Sequence, residues 1–172
     1  MMYLGLTGGI GAGKSILAKA LNILGIPSYN TDEKARHIME NLPSLIKSIK
    51  DRFGDNMYQA DGSINREKLA AKLFGDDAAR KALNDMVHPV VRKDFEEWAK
   101  NQNAEAVIYE AALLPKTVSY KRLDRIILVD ADENIRIRRV VERSGMSADA
   151  VEMRMKAQMN PKLAHKEADY IV

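Results

Sequence analysis

Met2-Tyr-Leu-Gly-Leu-Thr7, then Gly8-Gly-Ile-Gly-Ala-Gly13-Lys14-Ser15, then Ile16-Leu-Ala-Lys-Ala-Leu-Asn-Ile-Leu24: the reading of these three consecutive pieces decides the fold. The first is short and apolar enough to be a buried strand. The second is rich in glycine, and the third sets Leu17, Leu21 and Leu24 at i, i+4 and i+7, one face of a helix that Gly25 stops. Strand, loop and helix in that order are the context required of Gly8-x-x-x-x-Gly13-Lys14-Ser15, which matches the phosphate-binding P-loop at every specified position. Its glycines let backbone N–H groups close on phosphate oxygens, and the helix that follows adds the positive end of its dipole. Candidate ATP-binding residues are therefore Gly8, Gly9, Ile10, Gly11, Ala12, Gly13, Lys14 and Ser15. Lys14 is expected to reach the β- and γ-phosphates, and the Ser15 hydroxyl to ligate Mg²⁺.

Outward from the loop, Ile26 to Tyr29 reads as a second strand, and Thr31 as the N-cap of a helix running to Met39. From Leu42 to Lys100 the pattern is almost wholly helical. There Asn65 caps a helix over 66–74, and Pro89 stands at the first turn of a helix that reaches Lys100. Ala106 to Glu110 and Arg125 to Val129 are apolar nearly throughout, as buried parallel strands are. Helices follow from Asp132 or Asn134 to Arg143 and from Ser147 to Met159, with a last strand over Ala168 to Val172. Strands alternating with helices predict an α/β, doubly wound, parallel five-stranded sheet of the P-loop NTPase type. A helical substrate lobe and a helical lid are added to it. A chain of 172 residues is about one domain at ~150 residues each. The expected division of residues 1–172 is a core of 1–41, 105–135 and 160–172, an acceptor lobe of about 42–104 and a lid of about 136–160.

Composition narrows the function. The formal charge is only +3, from 27 Lys and Arg against 24 Asp and Glu, and aromatic residues are 6%. A nucleic-acid binder clusters its positive charge and interleaves aromatic rings for stacking, so no nucleic-acid partner is expected. No apolar stretch approaches the ~18 residues that span a bilayer, and no signal peptide is evident, so no membrane partner is expected either. Without cysteine there is no disulfide or thiolate zinc site, in keeping with the cytoplasm. A monomer is the default. The Asn-Lys-x-Asp tetrad that specifies guanine is absent, which favours a small-molecule kinase over a switch. Another small-molecule or nucleoside kinase, and a P-loop switch or nucleic-acid-dependent ATPase, remain the alternatives.

Asp32 follows the second strand, and in an open α/β sheet ligands gather beyond the carboxyl ends of the strands. A carboxylate there can orient an acceptor hydroxyl and take its proton; the competing reading is an acid favoured by the helix dipole. Glu110 and Asp130 both end apolar strands, and either can support magnesium through water. Arg136, Arg139 and Arg143 stand at i, i+3 and i+7 beside a Ser144-Gly145-Met146 turn that can hinge a lid. Guanidiniums suit phosphate capture; a solvated face balanced by Glu133 and Glu142 is the plainer alternative. His88 has no second ligand at metal spacing, which argues against zinc. Trp98 and Met153, Met155 and Met159 read as core or filler.

In these features the chain resembles the dephospho-CoA kinases. The likeness runs nearly end to end: Leu6 to Ser15, Asp32 with Ala35-Arg36, Phe53-Gly54, Asp61-Gly62-x-Ile64-x-Arg66, Leu69, Phe74, His88-Pro89, Leu113-Leu114, Arg139, Arg143, Arg154-x-x-x-Gln158 and Ala168 to Val172. The resemblance implies transfer of the ATP γ-phosphate to the 3′-hydroxyl of dephospho-CoA. It implies Asp32 as base, Lys14, Arg139 and Arg143 in catalysis with Arg139 also on ATP, and Asp32, Arg36, Arg66 and His88 on the acceptor side. Three departures stand out. Asn30 replaces the first Asp of the family's Asp-Ala-Asp signature, Ala112 and Lys116 replace the Pro and Glu of its Pro-Leu-Leu-Phe-Glu segment, and after Val172 the family continues with an adenine loop and a closing helix.

Overall fold

The computed structural model describes residues 1–112, 123–156 and 161–172. Leu113, Leu114, Lys116, Gln158 and Met159 lie outside the described residues. In chain order the elements are β1 (Met2–Thr7), α1 (Lys14–Ile23), β2 (Ser28–Asn30), α2 (Thr31–Asn41), α3 (Pro43–Phe53), α4 (Arg66–Leu73) and α5 (Asp77–Lys100). They continue with β3 (Ala106–Glu110), β4 (Arg125–Leu128), α6 (Glu133–Ser144), α7 (Ala148–Lys156), α8 (Pro161–Glu167) and β5 (Tyr170–Ile171). The chain forms two compact units, one of residues 1–30 with 102–172 and the other of Thr31–Asn101.

The first unit holds a five-stranded sheet in the order β2-β3-β1-β4-β5, parallel at every pairing. Connections out of β1 run to one side and those out of β3 to the other, so β1 sits at the switch in strand order where such sheets bind ligands. Leu6 and Ile108 are fully buried, and with Ala12, Ala18 and Val129 they form a core under α1 that Leu17, Leu21 and Ile26 complete. Removing the fully buried Leu6 or Ile108 side chain from water contributes roughly 1.5–3 kcal/mol. The predicted stop is built as a two-bond helix end. Gly25 at φ +82° donates its N–H to the Asn22 carbonyl and Ile26 donates to that of Leu21.

The second unit is helical. Its long α5 places Ala79, Leu83, Val87, Val91, Phe95 and Ala99 on one buried face, against α2, α3 and α4. Asn65 caps α4, its side chain accepting from the Lys68 N–H at 3.1 Å. Two local expectations are corrected. Pro89 lies inside α5, which starts at Asp77; the interior-proline penalty of ~3 kcal/mol is outweighed by burial of the valines on either side, while the ring stays on the exposed face. Thr31 is the buried first residue of α2, because β2 runs to Asn30 and the helix begins at the next residue, so the position before the helix falls to Asn30.

Candidate active site

Parallel register brings strand ends to one edge. Leu6 of β1 and Asn30 of β2 both pair with Glu110 of β3, and the loop from Gly8 leaves that edge to start α1 at Lys14. The Lys14 ammonium crosses the loop and donates to the Gly8 carbonyl at 2.6 Å. The Ser15 hydroxyl donates to Glu110 Oε1 at 3.4 Å, and Glu110 is only 7% exposed, one of three buried polar or charged residues among those described. This separates the two candidate acids. Both β3 and β4 flank β1, but Asp130 has other partners: it accepts from His165 Nε2 at 2.8 Å and from the Ala131 N–H at 2.9 Å.

Helix α6 begins under an Asp132 cap, the side chain accepting from the Asn134 N–H, and its first turns lie against the loop. Arg136 Nε donates to the Ile10 carbonyl at 3.1 Å, and Arg139 donates to the carbonyls of Gly11 and Ala12 at 3.4 and 3.3 Å. Arg143, one turn on, is exposed. Two of the three arginines thus engage the loop. The closeness has a steric signature: Gly11 has φ +78°, and a Cβ on it would lie 2.5 Å from the Arg136 carbonyl oxygen. Gly25→Ala, at φ +82° with nothing within 4 Å, costs about 1–2 kcal/mol for its left-handed backbone alone. Gly11→Ala adds overlap with α6, ~1–3 kcal/mol more, and lowers Tm further by several degrees. Equal losses in thermal denaturation would show that α6 does not press on the loop.

Asp32, Arg36, Arg66 and His88 all belong to the helical unit. Asp32 is the second residue of α2 and Arg36 stands one turn on. Arg66 begins α4 and lines a groove with Glu40, Gln59, Ser63, Ile64, Asn65 and Glu67. The Tyr58 hydroxyl donates to the Met39 carbonyl at 2.9 Å, and burial, then Glu40, pushes its pKa up. His88 on α5 has its pKa pushed below 6.5, first by burial and then by Arg92, with Asp85 opposing. Of the departures, Asn30 holds its place in the sheet and the Ala112 carbonyl accepts from Thr7 Oγ1 at 3.5 Å. The contact of Asp130 with His165 leaves no trace in the sequence, because their types and 35-residue separation carry no pattern.

A hydroxyl and a buried carboxylate oxygen, Ser15 and Glu110, are the hard donors that Mg²⁺ takes. No group of three His, Cys, Asp or Glu able to hold a metal occurs among the described residues. The donor set fits an ion that takes its remaining ligands from phosphates and water.

A phosphate loop on the central strand of a parallel sheet, with a helical unit inserted after the second strand, is the build of the P-loop kinases. Shikimate kinase from Bacteroides thetaiotaomicron shares that fold, with a TM-score of 0.54 at 20% identity over 99% of this chain and 84% of its own. The family model described as Dephospho-CoA kinase matches residues 2–172, and the chain belongs to that family. It is 34% identical over 173 residues to Dephospho-CoA kinase of Porphyromonas gingivalis, covering 100% of this chain and 85% of that one. A solved structure from Thermus thermophilus has a TM-score of 0.86 at 34% identity, over 99% of this chain and 86% of that chain.

Proposed function

We infer that the chain transfers the γ-phosphoryl group of ATP to the 3′-hydroxyl of dephospho-CoA, giving CoA and ADP, the last step of coenzyme A synthesis. The observation that carries this is the phosphate loop at the sheet's switch point in a chain that matches the family from end to end. Phosphoryl transfer asks for positioning and charge neutralisation more than covalent chemistry.

The N–H groups of Gly8 to Ser15 hold the β- and γ-phosphates, and Lys14 exchanges the Gly8 carbonyl for their more negative oxygens. Mg²⁺, when bound, would be held by the Ser15 hydroxyl, which Glu110 orients, and would supply neutralisation of phosphate charge. Asp32 takes the proton of the acceptor hydroxyl as its oxygen bonds to the γ-phosphorus. The bond from that phosphorus to the β,γ-bridging oxygen breaks, and ADP leaves with the electron pair. Arg139 and Arg143 of the lid, about 136–160, neutralise the transferring group, and its closure excludes water. Arg36 of α2, together with Arg66 and His88 in the lobe of about 42–104, holds dephospho-CoA. Consuming ATP, the enzyme works in the cytoplasm, as a monomer.

The test is ADP release with ATP and Mg²⁺ in the presence of dephospho-CoA, adenosine, shikimate or no acceptor, with CoA identified by mass. ADP release that depends on dephospho-CoA and yields CoA is expected. Release only with another acceptor, or only with an added polynucleotide, overturns the substrate.

A further inference from the structure

Arg136 is not a solvated residue. Only 12% of its side chain is exposed, against 72% for its neighbour Arg138, whose ion pair with Glu142 lies on the open face of α6. Its guanidinium does three things at once. Nε donates to the Ile10 carbonyl at 3.1 Å, one Nη lies 3.8 Å from Asp130 Oδ1, and the group covers the face of Gly9, where a Cβ would collide with it. Asp130 is itself fixed: Oδ2 takes His165 of α8 at 2.8 Å and Oδ1 takes the Ala131 N–H. A connected series thus runs from α8 through the end of β4 and α6 to the phosphate loop.

A trans peptide points its C=O and the next residue's N–H in opposite directions. A donor on the Ile10 carbonyl therefore turns the Gly11 N–H to the other face of the loop. Arg139 on the Ala12 carbonyl does the same for the Gly13 N–H. The Arg136 donor sits on the carbonyl side, so it works on the loop's shape and not on phosphate.

We propose that Arg136 is a positioning residue for ATP: held by Asp130, which His165 holds in turn, it keeps the Ile10 peptide oriented for phosphate before nucleotide arrives. This rests on the kinase reading for its activity assays, but ATP binding can be measured without an acceptor. In an Arg136→Gln variant, nucleotide must reorder the loop itself, so the effect falls on affinity, while the bound geometry, once reached, is restored.

The test measures the Kd of ATP by calorimetry and steady-state kinetics with dephospho-CoA, alongside thermal denaturation. Arg136→Gln is expected to raise both Kd and KM for ATP ~10-fold or more, the size of one charge-assisted hydrogen bond, and to change kcat less than threefold with the Tm nearly kept. Arg136→Lys, which keeps the charge for Asp130 but lacks the guanidinium fork, is expected to fall between. Asp130→Ala is expected to weaken ATP in the wild-type background and to add little to Arg136→Gln, since both act through one contact. Unchanged Kd in the Gln and Lys variants, additive effects of Asp130→Ala, or parallel losses of kcat and Tm overturn the proposal. If Arg136→Gln does not fold, the Lys variant decides by the same Kd criterion. Wild-type protein that binds ATP but makes no CoA would fault the substrate reading and leave the binding comparison intact.

Discussion

Lys14→Ala folds and loses ATP-dependent CoA formation, with kcat/KM for ATP down by at least ~10²–10³-fold, the scale set by removing one preorganised charge-stabilising donor. The argument starts from the lysine's surroundings. Its ammonium spans the loop to the Gly8 carbonyl at 2.6 Å, from the first residue of α1, and the loop N–H groups leave it the only full positive charge that the motif itself carries. Phosphate oxygens outcompete a carbonyl for that charge. Alanine removes the cation just as negative charge spreads over the transferring group, and no loop N–H replaces it. The fold loses little: the bond to the Gly8 carbonyl is worth about 1.5–3 kcal/mol at most, and partial exposure of Lys14 reduces that. A Tm lowered by only a few degrees with turnover gone is the expected pair of results. Lys14→Arg restores the charge but not its compact shape, and is expected to rescue poorly. Near-normal turnover in Lys14→Ala would remove the loop from the chemistry.

What could be read in the chain follows how local each feature is. The strand, the glycine loop and the leucine face of α1 are contiguous, so the fold of residues 2–25 was legible at once. The cap at Asn65 was legible for the same reason, since it and its N–H partner lie three residues apart, whereas Asp132 and Asn134 were alternative starts for α6, decided only by the Asn134 N–H on the Asp132 carboxylate. Glu110 and Asp130 could not be told apart because each ends a strand beside β1; only the side chains' partners, Ser15 for one and His165 for the other, separate them. Pro89 misled because its local preference for a helix start is weaker than the packing of Val87, Val91 and Phe95 around it. The arginine face of α6 was visible as a period. That Arg136 and Arg139 address loop carbonyls depends on contacts more than 120 residues apart in the chain, which no period encodes.

Asp32→Asn is expected to lower kcat by ~10²–10⁴-fold, the range for a lost general base, while KM for ATP moves little. Asp32 offers two separable roles. As an acid in the first turn of α2, beside Glu33, it stabilises the helix through the dipole by about 0.3–1 kcal/mol, a role that shows in Tm and not in turnover. As the proposed base it would take the acceptor's proton, which asparagine, of nearly the same shape, cannot. Replacing one oxygen by an amide keeps the volume and one acceptor, so dephospho-CoA still finds a hydrogen-bonding group and its KM changes less than kcat. Asp32→Glu keeps the base but moves it by one methylene, and is expected to recover part of the rate, whereas Glu33→Gln removes a first-turn charge alone and is expected to leave kcat within twofold. The comparison is made under single-turnover conditions, which separate chemistry from product release. If Asp32→Asn and Glu33→Gln both lower Tm slightly and leave the single-turnover rate alone, Asp32 is a dipole acid and the proton goes elsewhere. If only Asp32→Asn slows the chemical step, the carboxylate two residues beyond β2 is the base.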